Sequence, residues 1–542
     1  VCKRTTFTTC LALTLIILAA FVIRWPMMVY AYKHLDSDLA VDGLTLRDFV
    51  QYGNWRWHYP GTPHIGTLPV LISLPAVALW GEGPASLVFA GIAANILLIL
   101  AIYLLVNSAY GRVSAILASL VLAAGGLGQV WLSARVTGGH LLSAAWLAWA
   151  WLFWTHLIDT KSLKSWAGLG LFCAIGIWID SIFLLGIAGL GLSSVIMAWR
   201  DRSTIPIKHR SIQALLFIAM LPIGPSISKL GDGVNVYGSQ FEITTDSSAL
   251  KEHARILLTE CLPRLILGRT LQTGSPEIAM THLKPVDYLS SNAPIVMVLT
   301  MSGVVILLAW LKLISSRSSQ KSSKSSSDPQ PDWVTPLWSG LTFTGLLTLS
   351  AFELNKNIFN ADNYRYLVPL IPLLGMTYGL LSSAGPMLRQ RRFLLILLSL
   401  LLALDVYFWQ QANGFHPLFE TDTVKKSEPI NNKDVVSLLT DPQPGPLPAI
   451  TATFEADYWE TYRALYLAKK PISMGKPFGF FPNRFPNESS ANPRFVLITN
   501  SPASLQMLPL IRAEGAKLFS DKRVMVYDRS IRESPIPPPL SN

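Results

Sequence analysis

Asp36, Asp38, Asp42 and Asp48 fall within thirteen positions of a chain that otherwise avoids charge. Trp55, Trp57, His58, Tyr59 and His64 follow close behind. Carboxylates among imidazoles and phenols are the side chains that move protons, hold cations or bind polar ligands. The same acids could equally form a solvated loop, the ordinary fate of a charge run. Three features favour chemistry. The acids begin one short segment after an apolar run, they are followed by aromatic and imidazole side chains, and the loop ends in "TLPVLISLPAVALWG", a short apolar stretch that would hold it against a bilayer. An aromatic belt would account for the Trp and Tyr residues, though not for the carboxylates.

The elements that must position these residues are read from hydropathy. Of 542 residues, 51% are hydrophobic and only 14% charged, well under the ~25% charged of an average soluble domain. Mean hydropathy is +0.39. This is the composition of a polytopic membrane protein. The net charge of +11 does not point to nucleic acid, because Lys and Arg sit in short clusters between apolar runs, as topology signals do. Cys2, Cys10, Cys173 and Cys261 are scattered and form neither a disulfide framework nor a CxxC metal spacing. Lys3 and Arg4 precede an apolar run with no small-residue cleavage site after it, which reads as an uncleaved anchor.

Apolar runs of roughly 20 residues cross the hydrocarbon. The expected spans are 10–31, 85–108, 113–133, 140–158, 165–180, 182–199, 211–227, 293–314, 336–353, 364–384 and 393–411. The stretch 65–80 is short and holds two prolines. If it does not cross, the basic clusters at Lys3/Arg4, Arg112, Lys161/Lys164, Arg200–Arg210, Lys312–Lys324 and Arg389–Arg392 all fall on the inner face. It is therefore read as an interfacial or re-entrant helix on the outer surface. The acidic loop, the loop around Arg135–His140, the segment 228–290, the loop 354–363 and everything after 412 then share the outer face. The Ser-rich linker from 315 is inside and reads as disordered. In the tail, "GPLPAITATF", "RFVLIT" and "KRVMVYD" read as strands, while "EADYWETYRALYLA" and "SPASLQMLPLIRAEGA" read as helices. That alternation predicts a small α/β domain.

The stretch from "SDLAVDGLTLRDFV" through "LLILAIYLL" resembles the first outer loop and second span of the GT-C glycosyltransferases, which include protein O-mannosyltransferases, aminoarabinose transferases and lipopolysaccharide-core sugar transferases. "GRVSAILASLVLAAGGLGQVWLSARVTGGHLL", "GIWID", "DNYRYLVPLIPLL" and "FEADYWETYRALYLAKKPI" resemble later parts of that family, in the same order. The resemblance implies an α-helical polytopic membrane fold, GT-C-like. It would have about eleven transmembrane helices, outer interfacial helices and a small C-terminal α/β extracytoplasmic domain. Residues 1–412 would form the membrane catalytic domain, with an outer acidic loop 33–84, an outer segment 228–290 and a cytoplasmic linker 315–334. Residues 413–542 would form the outer domain. The implied setting is a bacterial inner membrane, with the N-terminus cytoplasmic.

In that family a sugar passes from a polyprenyl-phosphate carrier to an acceptor hydroxyl, with inversion. A carboxylate within hydrogen-bond reach takes the hydroxyl proton, and the leaving phosphate needs cationic stabilisation. The family's Asp-Glu pair carries over to Asp38, with Leu39 where the Glu usually stands; Asp36 is the alternate base, and Asp36 or Asp42 could supply the second carboxylate. Arg365 and Tyr366 open the "NYRYLVPL" span, where a helix N-terminus also favours anions. Arg135 and His140 in "ARVTGGHLL" face either donor phosphate or only the interface and a helix cap, and Gly138–Gly139 would let backbone approach a ligand. His58, Tyr59 and His64 join Asp42 as substrate-binding candidates. His34, His58 and His64 with the aspartates leave a divalent cation open, at irregular spacing. Arg24 reads as snorkelling and Asp180 as a turn residue. The segment "SALKEHARILLTECLPRLILGR" reads as an amphipathic helix that could cover the donor.

The expected partners are a polyprenyl-phosphate-linked sugar, a lipid, glycan or protein acceptor, and membrane lipids. Two other readings stand beside the enzyme: a lipid or glycolipid transporter or flippase, and an inactive homologue that only binds. A transporter would place ionisable residues at mid-membrane and show repeated halves; here the charges gather at a boundary and the halves differ. The geometry expected of the enzyme is Asp38 in one pocket with Arg135, His140 and Arg365.

Overall fold

The computed structural model describes residues 2–29, 37–60, 62–134, 139–158, 160–200, 205–232, 242–267, 331–358 and 361–383, isolated positions 31, 35, 395–396 and 399, and short strands beyond 450. Asp36 and Arg135 lie outside the described residues, as do His34, the expected span 293–314, the linker 315–330 and the two helices expected in the tail, save Glu455 and Ala516.

The described chain up to 383 is a packed set of helices. Helix α1 (Cys2–Val29) is followed by α2 (Ser37–Tyr52), the hairpin β1 (His58–Tyr59) and β2 (Thr62–Gly66), and two short helices, α3 (Leu68–Ile72) and α4 (Leu74–Trp80). Then come α5 (Pro84–Tyr110), α6 (Arg112–Ala124), α7 (Gly126–Ala134), α8 (His140–Leu157), α9 (Leu163–Ile179), α10 (Phe183–Arg200), α11 (Ile207–Met220) and α12 (Ile223–Asp232). Among the described residues, four stretches are long and apolar enough to cross a membrane by length and composition: Thr8–Val29, Pro84–Tyr110, Phe183–Arg200 and Ile207–Leu230. Helix α5 has 27 residues, about 40 Å at 1.5 Å per residue, against a hydrocarbon core of about 30 Å. It packs against α1, α6 and α8 and forms the spine of the main apolar cluster.

The stretch 65–80 does not make one helix. Pro69 and Pro75 each sit in the first turn of a short helix, and the chain turns at Ser73 between them. Proline tolerates a first turn but not a helix interior, so the sequence yields helices of five and seven residues, neither of which is long enough to cross. The span expected at 113–133 is also interrupted. Gly125 adopts φ 61°, a left-handed cap that ends α6, and α7 restarts at Gly126. A side chain at Gly125 would meet Leu122 O at 2.7 Å and Arg24 Nη2 at 3.1 Å. Arg24 does not snorkel. It is 0% exposed, donates from Nε to Ser133 Oγ at 2.8 Å and from Nη1 to Ala123 O at 2.7 Å, and so ties α1 to both sides of the break.

After α12 comes a helix in three parts: α13 (Ser247–Ile256), a π-helical turn (Leu257–Cys261) and α14 (Leu262–Leu267). Pro263 has no N–H for the carbonyl one turn back, and Leu262 N–H bonds instead to Leu257 O, five residues away. Helix α15 (Val334–Leu354) packs on α10. A 3₁₀ segment (Ala361–Leu367) leads into α16 (Leu370–Ser383), which packs on α6. The π turn and α14 rest on the 3₁₀ segment, and α14 also packs on α7.

Farther on, six strands form one sheet: β3 (Phe454–Glu455), β4 (Met474–Gly475), β5 (Ser489–Ser490), β6 (Phe495–Thr499), β7 (Ala516–Ser520) and β8 (Val524–Asp528), in the order β5-β4-β3-β6-β8-β7. β5, β4, β3 and β6 pair in parallel, while β8 and β7 are antiparallel. Two of the three strands read from sequence are β6 and β8; the third, 445–454, lies outside the described residues save Phe454 in β3, and β4, β5 and β7 were not read as strands.

Candidate active site

The acidic stretch 37–52 folds as helix α2 rather than as an open loop, with Asp38 in its first turn. A carboxylate there is favoured by the partial positive charge of the helix start. Its Oδ2 lies 3.7 Å from Nη1 of Arg365, in the 3₁₀ segment; the side chains are 13% and 27% exposed. Helical spacing of four puts Asp42 on the same face, where it is buried. Leu39 turns away from that face. It is 1% exposed and packs in a second apolar cluster with Leu35, Val41, Tyr59, Val70 and Leu87. Among the described residues the acid that shares the Asp38 face is Asp42, and position 39 belongs to packing.

The hairpin fixes the backbone around Asp38. The hydroxyl of Tyr59, itself buried, donates to the Asp38 carbonyl at 3.0 Å. The other strand reaches a different acid. Ile65 forms a β-bridge with Asp180, and Ser181 N–H donates to His64 O at 3.2 Å. Asp180 ends α9 in extended conformation. One carboxylate oxygen accepts Ile182 N–H at 3.0 Å. The other accepts Nδ1–H of His140 at 2.6 Å, with side-chain exposures of 4% and 6%. His140 stands edge-on to the Tyr366 ring at 5.6 Å, and the Arg365 guanidinium lies 5.5 Å from the same ring.

Asp38, Arg365, Tyr366, His140 and Asp180 thus form a continuous chain of contacts drawn from four separate segments. The sequence singled out the first four; Asp180 is the turn residue it was read as, accepting Ile182 N–H and Phe183 N–H, and it also bonds an imidazole 40 positions away. The predicted closeness of Asp38 and Arg365 is observed, and His140 joins through Tyr366. His58 goes elsewhere: it is buried, and Nδ1–H donates to Ser228 O in α12 at 3.2 Å. The side chain of His64 is buried in the hairpin. Gly139 has φ 63°, and a side chain on it would meet Ile179 at 2.9 Å and Pro69 at 3.2 Å, so the close approach it permits is to α9 and α3. Among the described residues no group of three or more His, Cys, Asp or Glu side chains could hold a metal ion.

Sequence reading missed one cluster. Behind the 3₁₀ segment, the buried Arg264 guanidinium lies 5.2 Å from the Tyr364 ring. Nearby Glu260 accepts from Arg255 Nη1 at 3.0 Å, and burial pushes the Glu260 carboxyl up from its ordinary range, against the pull of Arg255. Arg255 also pairs with Glu252, which lowers the Glu252 carboxyl chiefly through that hydrogen bond. The spacing of Glu252 and Arg255 was a readable signal. The π turn that aims Glu260 was not, although π turns are frequent at functional sites.

Apolar helices long enough to cross a bilayer, with an acid at a helix start facing a guanidinium and another at a helix end facing an imidazole, point to an integral membrane protein whose polar site lies at helix termini. Residues 69–228 match the family model described as dolichyl-phosphate-mannose-protein mannosyltransferase; that stretch holds His140 and Asp180 but neither Asp38 nor Arg365. The fold is similar to that of ArnT from Cupriavidus metallidurans bound to undecaprenyl phosphate, at 12% identity and a TM-score of 0.54, over 95% of this chain and 97% of that one. The apo state of the same ArnT (12% identity, TM-score 0.46, 98% and 100% covered) and the Archaeoglobus fulgidus oligosaccharyltransferase in complex with Zn and sulfate (11%, 0.39, 96% and 73%) are more distant in shape. No curated protein sequence matches the chain. The resemblance expected from the sequence is thus met over residues 69–228 by a mannosyltransferase family model, and in fold by ArnT.

Proposed function

We propose that this protein is an inverting glycosyltransferase that moves a sugar from a polyprenyl-phosphate-linked donor to an acceptor hydroxyl at the outer face of the membrane. The observation that carries the reading is the ion pair of Asp38 with Arg365 at 3.7 Å. A carboxylate beside a guanidinium supports the reading because the reaction asks for a proton acceptor and a cation. The acceptor hydroxyl gives its proton to Asp38 as its oxygen bonds to the anomeric carbon. The bond from that carbon to the phosphate oxygen breaks, and the phosphate leaves with the electron pair toward Arg365. Asp36, Asp42, Tyr59, Arg135, His140 and Tyr366 belong to the same proposed site; His58 and His64 support the hairpin. The ArnT whose fold this chain shares was seen bound to undecaprenyl phosphate, which favours a carrier of that class. The basic clusters favour a cytoplasmic N-terminus in a bacterial inner membrane, with 1–412 as catalytic membrane domain and 413–542 as an outer α/β domain.

The test is to purify the chain with its native lipids and identify them by mass spectrometry, then to supply undecaprenyl phosphate carrying one hexose (mannose, glucose or galactose) in proteoliposomes and measure released undecaprenyl phosphate. A co-purified polyprenyl-phospho-sugar and its turnover support the reading. An unglycosylated lipid carried across the bilayer without bond cleavage would instead make the chain a transporter. Labelling of a cysteine at Ser37 only from the cytosol would remove the proposed active site from the outer face.

A further inference from the structure

The His140–Asp180 pair has no assigned task in the transfer step. It is costly as mere packing, because two buried polar groups could be replaced by apolar side chains of similar volume without loosening the contact between α8 and α9. Asp180 is held on every side: one oxygen by Ile182 N–H, the other by His140 Nδ1–H, and its backbone by the bridge to Ile65. A carboxylate so fixed keeps a proton on the Nδ1 that faces it and sets the orientation of the ring. Nε2, on the far edge of the ring, makes no hydrogen bond to a described residue although His140 is 5% exposed. That edge belongs to a ring lying against Tyr366, which in turn carries the Arg365 guanidinium.

We propose that Asp180 is a positioning residue that holds the His140 ring through Nδ1–H so that an N–H at Nε2 donates a hydrogen bond to an oxygen of the donor phosphate. This rests on the glycosyltransferase reading and deepens it. In the step, the bond from the anomeric carbon to phosphate oxygen breaks as the bond to the acceptor oxygen forms. The acceptor proton ends on Asp38, and the phosphate gains one negative charge. His140 transfers no proton; its N–H and Arg365 meet that added charge from two sides, as preorganised donors do at a developing oxyanion. The arrangement also explains why α9 and α10 are broken at Asp180 and not elsewhere: the break lets a helix end, a β-bridge and an imidazole converge on one carboxylate.

The test uses the full chain in nanodiscs and proteoliposomes. Native mass spectrometry compares binding of undecaprenyl phosphate with undecaprenol, which lacks the phosphate, and turnover is read with the hexose-linked carriers named above. H140A is expected to weaken undecaprenyl phosphate at least tenfold with undecaprenol unchanged, and to lower kcat about a hundredfold. D180N keeps the shape of the side chain and guards against misfolding; a loss of about tenfold is expected, with D180E recovering part of it. The double variant D180A/H140A should be no worse than H140A alone, because Asp180 acts only through the imidazole. Wild-type phosphate affinity and kcat in H140A, or losses that multiply in the double variant, would overturn the assignment. A wild-type chain that binds the phosphate through His140 yet turns over no lipid-linked sugar would keep the phosphate contact and sink the transferase. A wild-type chain that does neither overturns both.

Discussion

Replacing Asp38 by Asn separates catalysis from stability by magnitudes that the structure sets. The charges of Asp38 and Arg365 approach to 3.7 Å, which is about 4.5 kcal/mol of attraction at an effective dielectric of about 20. The side chains are 13% and 27% exposed, so solvent screening and side-chain ordering reduce the net contribution to about 1 kcal/mol. D38N should therefore shift the melting temperature by only a few degrees. Loss of a general base costs a factor of about 10² to 10⁴ in rate, or about 3 to 5 kcal/mol in the barrier, several times the stability effect. Arg365, released from its partner, should bind undecaprenyl phosphate as well as before or better. The assay is release of undecaprenyl phosphate from hexose-linked carrier in proteoliposomes, with melting temperature and undecaprenyl phosphate affinity followed on the same preparation. Turnover within a few-fold of wild type would refute the role of Asp38. So would a loss of activity that only tracks a collapse of the melting temperature and of phosphate affinity together.

Y59F removes the hydroxyl that donates to the Asp38 carbonyl; about 1 kcal/mol of stability should go with it, and turnover should fall about tenfold at unchanged donor affinity, whereas unchanged kcat would show that the hairpin does not steady the base. L39E restores the acid usual in the resembling family, but at a position 1% exposed in an apolar cluster. A buried unpaired carboxylate costs about 3 kcal/mol or more, so a lower melting temperature with no gain in transfer is expected, and a stable, faster L39E would show that the cluster is misread. E260Q addresses pH. Burial raises the Glu260 carboxyl from its ordinary 4.5, so the native state holds this proton more tightly than the unfolded chain. The stability it contributes is full below about 4.5 and is lost as pH rises through the native value. E260Q should flatten that decline in a melting-temperature series, and an unchanged or steeper slope would contradict it.

What the sequence made readable follows the range over which each signal acts. Hydrophobic length is local, so the span expected at 85–108 is found as Pro84–Tyr110 and that at 211–227 within Ile207–Leu230. The short break expected at "WID" separates α9 from α10. The break at Gly125 escaped because apolar residues continue on both sides; only the buried Arg24, more than 90 residues earlier, shows why the chain turns there. The acid of α2 and the cation of the 3₁₀ segment were each conspicuous as charges beside apolar runs, and the resemblance to the glycosyltransferases implied that they share a pocket. Asp180 and Arg264 were not conspicuous. One is a single acid after a helix and the other a single base after a proline, and each acquires meaning only from a partner far along the chain.

The hairpin is where these two kinds of information meet. Its sequence advertises aromatic and imidazole side chains, which look like ligands for a substrate, yet their observed work is largely inward. Tyr59 grips the backbone at Asp38, His58 grips α12, and the second strand pairs with Asp180. Two acids on separate helices are thereby set at a fixed separation by backbone and buried side-chain bonds. Such bonds hold geometry better than a partly exposed ion pair can, because solvent screens the ion pair. On the proposed function, a donor phosphate would compete with Asp38 for Arg365 without disturbing the bonds of the hairpin beneath. A site that must exchange one anion for another needs this division: a soft contact where the ligand enters and a rigid one where the reacting groups are held.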